Sequence, residues 1–207
     1  MALSKKSLQR KREKKRKNRK IKIVNQASSM STNYNSWAIH ECFVPIGLWE
    51  MGIGQVIVSR KNNQNKMVVG VYLIDVFCLG IKNCFVRPID SDQYEFLLEQ
   101  IIEACGEMKP VEPSYANTLI CKAVEYANKI GFKPHRDFPK AKNLLKNILF
   151  DENLELIFGK DGKPCYMQGP NESPYDIKRI MHTLETNMGE GNYNFLISVP
   201  QMGGFIK

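Results

Sequence analysis

A run of ten residues, 68–77, constrains the fold most, because every position except Asp75 is apolar, aromatic or glycine. Side chains of a β-strand alternate between its two faces, and strands that are apolar at both parities lie in sheets covered on both sides. The run therefore predicts a central strand. Residues 52–60, rich in Val and Ile, precede it across the polar stretch 61–66, and this arrangement predicts a hairpin.

Further strands are predicted around this hairpin. Residues 83–89 extend it to a three-stranded meander, and residues 38–44 form a short edge strand that stops at Pro45. An Asp-Gly pair later in the chain is typical of a tight turn, which predicts a small second hairpin. The remaining predicted strand segments are residues 156–158 and 165–168, on either side of turn residues 159–163, and residues 194–199.

Four segments carry helical periodicity, with apolar residues recurring every three or four positions. They predict helices over residues 94–108, over 116–130, over 141–149, and from Pro174 to about Glu185. Capping residues mark most of their ends: Ser91 or Asp90 before the first helix, Ser114 before and Gly131 after the second, and Ser173 before the last.

Strands first, then helices, then a hairpin and a helix predict an α+β fold. The expected architecture is an antiparallel sheet, made of a three-stranded meander plus a small hairpin, covered by three to four helices. At 207 residues the chain is expected to hold a single domain. Its four expected parts are a basic disordered tail (1–24), a polar linker (25–36), the α+β domain (37–188) and a C-terminal extension (189–207).

Positive charge is concentrated in residues 1–24. This segment holds twelve Lys or Arg and the single acid Glu13, a net charge of +11, whereas the remainder holds eighteen basic and twenty acidic residues, a net charge of −2. So dense a block of like charge, with little to bury, is expected to be disordered when free. The cations are Lys5, Lys6, Arg10, Lys11, Arg12, Lys14, Lys15, Arg16, Lys17, Arg19, Lys20 and Lys22.

Cations in such a tail predict binding to a polyanion. Each Lys or Arg that contacts a phosphate releases counterions, which gives a sequence-independent affinity that falls steeply with salt. Nucleic acid is the expected partner, because the tail lacks the apolar face of a membrane-surface helix. A solubility tail and a nuclear-import signal are the alternatives.

The six cysteines are scattered without paired spacing and no apolar signal segment follows the basic N-terminus, which predicts reduced thiols and a cytoplasmic protein. No run of 18 apolar residues occurs, so no membrane span is expected. Zinc-type side chains are present, but no two have the spacing of a zinc site, so neither a metal nor another cofactor is expected.

Two loops carry candidate catalytic residues. In the first, a carboxylate at the end of the central strand is followed by Cys78 and Lys82, and in the second His135 and Asp137 lie between two helices. If the fold joined these loops, Cys78, His135 and a carboxylate would form a nucleophile relay. The structural alternative is that Asp75 caps a turn, Cys78 packs in the core and Asp137 caps the next helix.

Lys160 and Lys163 flank the glycine-rich turn of the small hairpin. They predict a second phosphate contact, although the segment lacks the glycine spacing and the Lys-Ser or Lys-Thr pair of a P-loop. Lysines at a hairpin tip also occur because they increase the solubility of the protein, and this alternative to a phosphate contact stays open.

Four segments of the chain resemble a family of uncharacterised bacterial proteins in which a Lys/Arg-rich N-terminus precedes a globular body. They are IHEC at 39–42, GIGQVIVSR at 52–60, VGVYLIDVFCLGIK at 69–82 and FGKDGKP at 158–164. The resemblance implies a bacterial cytoplasmic protein and transfers no activity and no catalytic residue.

Together these features predict a non-enzymatic, nucleic-acid-associated protein that binds phosphates through its cationic tail, with RNA or a ribonucleoprotein slightly favoured over DNA. A thiol-dependent hydrolase or nuclease that uses Asp75, Cys78, Lys82 and His135 is the first alternative. The second is a protein-interaction module of a larger assembly, in which the tail serves only as an anchor.

Overall fold

The long apolar run lies inside an antiparallel sheet. In the computed structural model, which describes residues 34–197, it forms β3 (Met67–Asp75), hydrogen-bonded to β2 (Ile53–Lys61) on one side and β4 (Gly80–Ile89) on the other. Every residue of β3 is buried except the half-buried Leu73. The predicted meander is confirmed, as is the two-sided burial of its middle strand.

Two further strands extend this sheet beyond β2. β1 (Ala38–Pro45) is antiparallel to β2 and pairs through its last three residues with β5 (Met108–Pro110), so the sheet order is β4-β3-β2-β1-β5. The sequence predicts an edge strand at 38–44, whereas β5 takes the edge beside the end of β1. A strand of three residues that ends in proline has no detectable periodicity, and proline is tolerated at a sheet edge.

One long helix covers one face of the sheet. The single turn α1 (Leu48–Met51) connects β1 to β2, and α2 (Ser91–Cys105) follows β4 directly. The Asp90 carboxylate accepts a hydrogen bond from the backbone N–H of Gln93 at 2.8 Å and so caps α2, as one of the two predicted capping residues. The buried side of α2 packs on the sheet through Tyr94, Leu97 and Ile101.

The opposite face of the sheet is covered by α3 (Pro113–Lys129) and α4 (Phe138–Ala141), the latter continued by a 3-10 turn, Lys142–Leu145. The core on this face joins α3 and α4 to the even-numbered side chains of β2 and β3. The predicted cap Ser114 lies inside the first turn of α3, because Pro113, whose fixed φ suits a helix start, occupies its first position.

The helix predicted at 141–149 differs in the structure, where helical geometry ends with the 3-10 turn. The guanidinium of the buried Arg60 donates hydrogen bonds to the carbonyl oxygens of Leu144 (2.9 Å) and Lys146 (2.5 Å). Those carbonyls are then unavailable to a further helical turn, and Asn147 adopts a left-handed conformation with a φ of 63°.

A smaller layer completes the α+β fold. α5 (Pro174–Met188) begins with the predicted capping box at Ser173 and packs beside a two-stranded parallel sheet, β6 (Cys165–Met167) with β7 (Asn194–Leu196). The predicted hairpin keeps only its tight turn. Its two sides attach to the turn after β3 instead of to each other, since Gly159 N–H donates to Val76 O and Cys165 N–H to Phe77 O.

The compact unit of the chain begins at Tyr34, three residues before the predicted domain start. Tyr34–Ser36 form a 3-10 turn, and the Tyr34 ring packs edge-on against Trp37 with the ring centroids 5.1 Å apart. The predicted tail, most of the predicted linker and residues 198–207 lie outside the described residues. Among the helices within residues 34–197, none combines the length and the apolar run that a bilayer crossing requires.

Candidate functional site

Asp75 ends β3 and organises the turn into β4. Its Oδ1 atom accepts hydrogen bonds from the backbone N–H groups of Phe77 (2.9 Å) and Cys78 (2.8 Å). Only 4% of the residue is exposed, and this burial raises the carboxyl pKa to about 6, although the backbone hydrogen bonds and the Lys82 charge oppose the shift. The carboxylate therefore caps a turn, as in the structural alternative.

Glycine at position 80 lets this turn close against α3. Gly80 has a φ of +65°, and a Cβ atom there would lie 2.7 Å from the Cβ of Ala127 and 2.8 Å from the carbonyl oxygen of Ala123. Backbone conformation and close packing thus both require glycine. The turn that carries Asp75 and Cys78 is held directly beneath a helix.

Cys78 is fully buried among apolar side chains of α5 and β6. Burial raises the pKa of its thiol far above the ordinary value, and the nearby Asp75 charge raises it further. A reactive cysteine needs a lowered pKa and access to its substrate. Cys78 has neither feature, and it acts as a core residue. The six cysteines are unpaired, and Cys105 and Cys121 are the two that are half-buried instead of buried.

Lys82, four residues beyond Cys78, lies in a different environment. Its Nζ atom is 2.6 Å from Oε1 of Glu172, and the side chains of both residues are 16% exposed. The other oxygen of Glu172 accepts hydrogen bonds from the Tyr166 hydroxyl (2.6 Å) and the Gly169 N–H (2.9 Å). Burial raises the pKa of Glu172, but these bonds and the lysine outweigh burial, so its pKa lies below the ordinary value.

His135 is brought beside β4 by its own backbone, because its N–H donates to the carbonyl oxygen of Ile81 at 2.9 Å. The ring Nδ1 accepts a hydrogen bond from the Asp137 N–H at 3.3 Å. Asp137 occupies the capping position of α4, yet its carboxylate makes no capping bond and lies 3.8 Å from Nδ1.

The candidate site is a cleft of about 350 Å³ that contains Lys82 and His135. It lies between the start of β4, the loop after α3, and α5 with the residues just before it. Its apolar lining comes from Leu79, Ile81, Phe132 and Ile180, and its charged lining from Lys82, Lys133, Arg179, Glu172 and Asp176. Cys78 and Asp75 do not line this cleft, so the catalytic relay of the sequence analysis is not assembled here.

Four charged residues of this cleft are not predicted as site residues from the sequence: Lys133, Glu172, Asp176 and Arg179. Lys133 sits two positions before His135 in the same proline-bounded loop, so that loop already offered a signal. Asp176 and Arg179 lie on one face of α5 because they are three positions apart, 3.7 Å between Oδ1 and a guanidinium nitrogen. Glu172 carries no local signal, since its partner Lys82 is 90 residues away.

The two lysines of the predicted second phosphate contact both lie exposed beside the tight turn. Lys163 donates a hydrogen bond from Nζ to the Gly191 carbonyl oxygen at 2.7 Å, and Lys160 places Nζ 5.9 Å from the centroid of the Phe77 ring. Each side chain therefore already has a partner in the fold. Lys160 and Lys163 lie on a different loop from the residues that line the cleft.

Comparison with protein-family models, with curated proteins and with solved structures found no match to this chain. Within residues 34–197, no group of three or more His, Cys, Asp or Glu side chains is placed to hold a metal ion. The cationic residues of the tail lie outside the described part of the chain. The features that bear on function are therefore the charge pattern of the sequence and the geometry of the cleft.

Proposed function

We propose that this protein is a non-enzymatic, nucleic-acid-associated protein of the bacterial cytoplasm, and that RNA or a ribonucleoprotein is its partner. The observation that carries this proposal is the division of charge, a net +11 in residues 1–24 against −2 in the remainder. The cations from Lys5 to Lys22 bind phosphates, and the α+β body is attached to the nucleic acid through them.

Electrostatics gives this binding a defined signature. Each phosphate contact on a single strand contributes a slope of about −0.7 to the dependence of log affinity on log salt concentration. If half of the twelve tail cations make contacts, the slope is about −4. The affinity is nearly independent of sequence, because phosphate contacts carry no base information.

Burial of Cys78 supports this proposal over the thiol-dependent hydrolase. A hydrolase of that kind needs a thiolate within reach of its substrate, whereas Cys78 is fully buried and its pKa is raised. Asp75, the carboxylate nearest in sequence, is occupied by backbone N–H groups. The positions of Cys78 and Asp75 therefore favour structural roles for these two residues.

The test is RNA binding by a full-length variant in which all twelve tail cations are replaced by Gln. Fluorescence anisotropy of a labelled single-stranded RNA of about 20 nucleotides, measured across a salt series, gives affinity and slope. The matched control replaces four exposed lysines of the body by Gln: Lys66, Lys109, Lys129 and Lys140.

We expect the tail variant to lose at least about 100-fold in affinity at 100 mM salt, and the control to lose less than about threefold. Circular dichroism should show that both variants remain folded. Equal RNA binding by the tail variant and the unmodified chain would overturn the proposal. Co-purification of a protein partner in place of nucleic acid would favour the interaction module instead.

A further inference from the structure

The cleft beside Lys82 has the charge balance of an anion site. Three cations, Lys82, Lys133 and Arg179, line it together with two carboxylates, so the cations outnumber the carboxylates by one. The described contacts leave Lys133 without an ion pair, and the side chain of Arg179 is 64% exposed. An anion that enters the cleft therefore meets two cations that can move to contact it.

Both carboxylates of the cleft are already satisfied from within the fold. Glu172 accepts from Lys82, Tyr166 and Gly169, and Asp176 accepts from the N–H and hydroxyl of Ser173. Their repulsion of an anion is thus reduced, because hydrogen bonds already spread their charge. Lys82 uses one of its three ammonium donors on Glu172, and two donors are left for an oxygen ligand.

The remaining lining combines Gly131, His135 and Thr183 with four apolar side chains, one of them aromatic. Phe132 is half-buried, and Leu79, Ile81 and Ile180 are buried. A volume of about 350 Å³ lies at the lower end of the range for small-molecule sites. Inorganic phosphate alone would leave the apolar lining uncovered, whereas a base or sugar attached to the phosphate would cover it.

We infer that this cleft binds a nucleoside phosphate, with Lys82, Lys133 and Arg179 contacting the phosphate and the apolar lining contacting the nucleoside. The same chemistry is offered by a free nucleotide and by the terminal nucleotide of an RNA strand. This site does not depend on the cationic tail, which lies outside the described residues and for which phosphate binding is proposed separately. If the strand is the source, the cleft adds a second contact to the one proposed for the tail.

The test is isothermal titration calorimetry on the full-length protein, with AMP, adenosine, inorganic phosphate and a 5′-phosphorylated trinucleotide as probes. The cleft variant is K133Q/R179Q, and the matched control is K129Q/K178Q, which removes two exposed lysines that do not line the cleft. The tail variant with twelve Gln substitutions is titrated in parallel, so that the two proposed sites can fail separately.

We expect AMP to bind at least about tenfold more tightly than adenosine or inorganic phosphate, and K133Q/R179Q to weaken AMP about tenfold or more. The tail variant should bind AMP normally. In the tail variant, where the cleft alone is tested, tighter binding of the trinucleotide than of AMP identifies a strand as the source, and equal binding identifies a free nucleotide.

Three results would overturn the inference: no heat with any probe at millimolar concentration, equal binding of AMP and adenosine, or equal losses in the cleft and control variants. If the cleft binds AMP but the tail variant still binds RNA as well as the unmodified chain does, the function proposed for the tail is refuted and the inference about the cleft stands. Thermal unfolding of each variant checks that a loss of binding does not arise from a loss of structure.

Discussion

The turn at Asp75–Cys78 and the cleft at Lys82 come from one stretch of eight residues, yet they present opposite environments. Asp75 and Cys78 are both buried. The Asp75 carboxylate accepts hydrogen bonds from backbone N–H groups, and the Cys78 thiol lies among apolar side chains. Lys82 lies at the edge of the same strand pair, with its ammonium against Glu172 and the cleft beside it. Proximity in sequence therefore says little about shared chemistry when a tight turn lies between the residues.

The difference arises from the direction of the chain at the turn. Gly80 lies against α3, the residues from Asp75 to Leu79 before it are buried, and β4 after it mixes buried residues such as Ile81 with partly exposed ones such as Lys82. A charged group before the turn must be satisfied by hydrogen bonds from the turn itself. A charged group after the turn can find a distant partner and remain reachable by a ligand.

Thiol reactivity offers the largest expected contrast between the buried turn and the rest of the fold. We expect iodoacetamide to modify the half-buried Cys105 at least about 1,000-fold faster than Cys78. Cys78 reacts only when the structure around it unfolds locally, which costs about 4 kcal/mol. Mass spectrometry of the digested protein measures both rates. In denaturant the two rates should converge, and a Cys78 that reacts first in the native protein would revive the hydrolase alternative.

A smaller effect is expected from removing the acceptor of the turn. We expect D75A to be about 3 kcal/mol less stable than D75N, since alanine leaves the N–H groups of Phe77 and Cys78 without an acceptor. The cleft provides the comparison: R179A and R179Q should differ by less than about 0.5 kcal/mol because Arg179 is exposed. Urea unfolding at pH 7 measures the stability of all four variants. If D75A and D75N differ no more than R179A and R179Q do, the Asp75 carboxylate does not stabilise the turn.

The pH dependence of stability gives the smallest of the three effects. The pKa of Asp75 is about 6 in the folded chain, against an ordinary 3.8, so between pH 4 and 6 the folded state holds a proton that the unfolded state releases. The free energy of unfolding therefore falls as the pH rises through this window, by about 2 kcal/mol.

D75N lacks this titrating group, and the difference between the two proteins isolates the contribution of Asp75. Relative to D75N, the unmodified chain should gain about 2 kcal/mol between pH 7 and pH 4. The lowered pKa of Glu172 gives a slope of the opposite sign, which is present in both proteins and cancels. Parallel stability profiles for the two proteins would show that Asp75 does not titrate in this range.

Elements with strong local signals were predictable from the sequence. The run that is apolar on both faces of a strand predicted β3. The capping box of Ser173 and Asp176, with Pro174 between them, predicted the start of α5. What escaped prediction depends on partners far along the chain. Arg60 ends the helix predicted at 141–149, and the parallel pairing of β6 with β7 replaces a local hairpin.

The candidate site divides in the same way. Lys82 and His135 were predictable as candidates from the sequence. Each lies near a glycine or proline that interrupts an apolar segment, where functional polar residues are often found. Their grouping with Arg179 and Glu172 depends on a fold that brings residues about 90 positions apart into one cleft, and no local sequence pattern reports such a grouping.

The Lys82–Glu172 pair has a consequence for the rates at which this protein folds and unfolds. Its two residues are 90 positions apart, so the pair forms only after the meander and the intervening helices have brought the chain together. A contact that forms this late contributes little to the folding transition state and much to the native state. We therefore expect the pair to slow unfolding while leaving the folding rate nearly unchanged, and so to prolong the lifetime of the cleft that it borders.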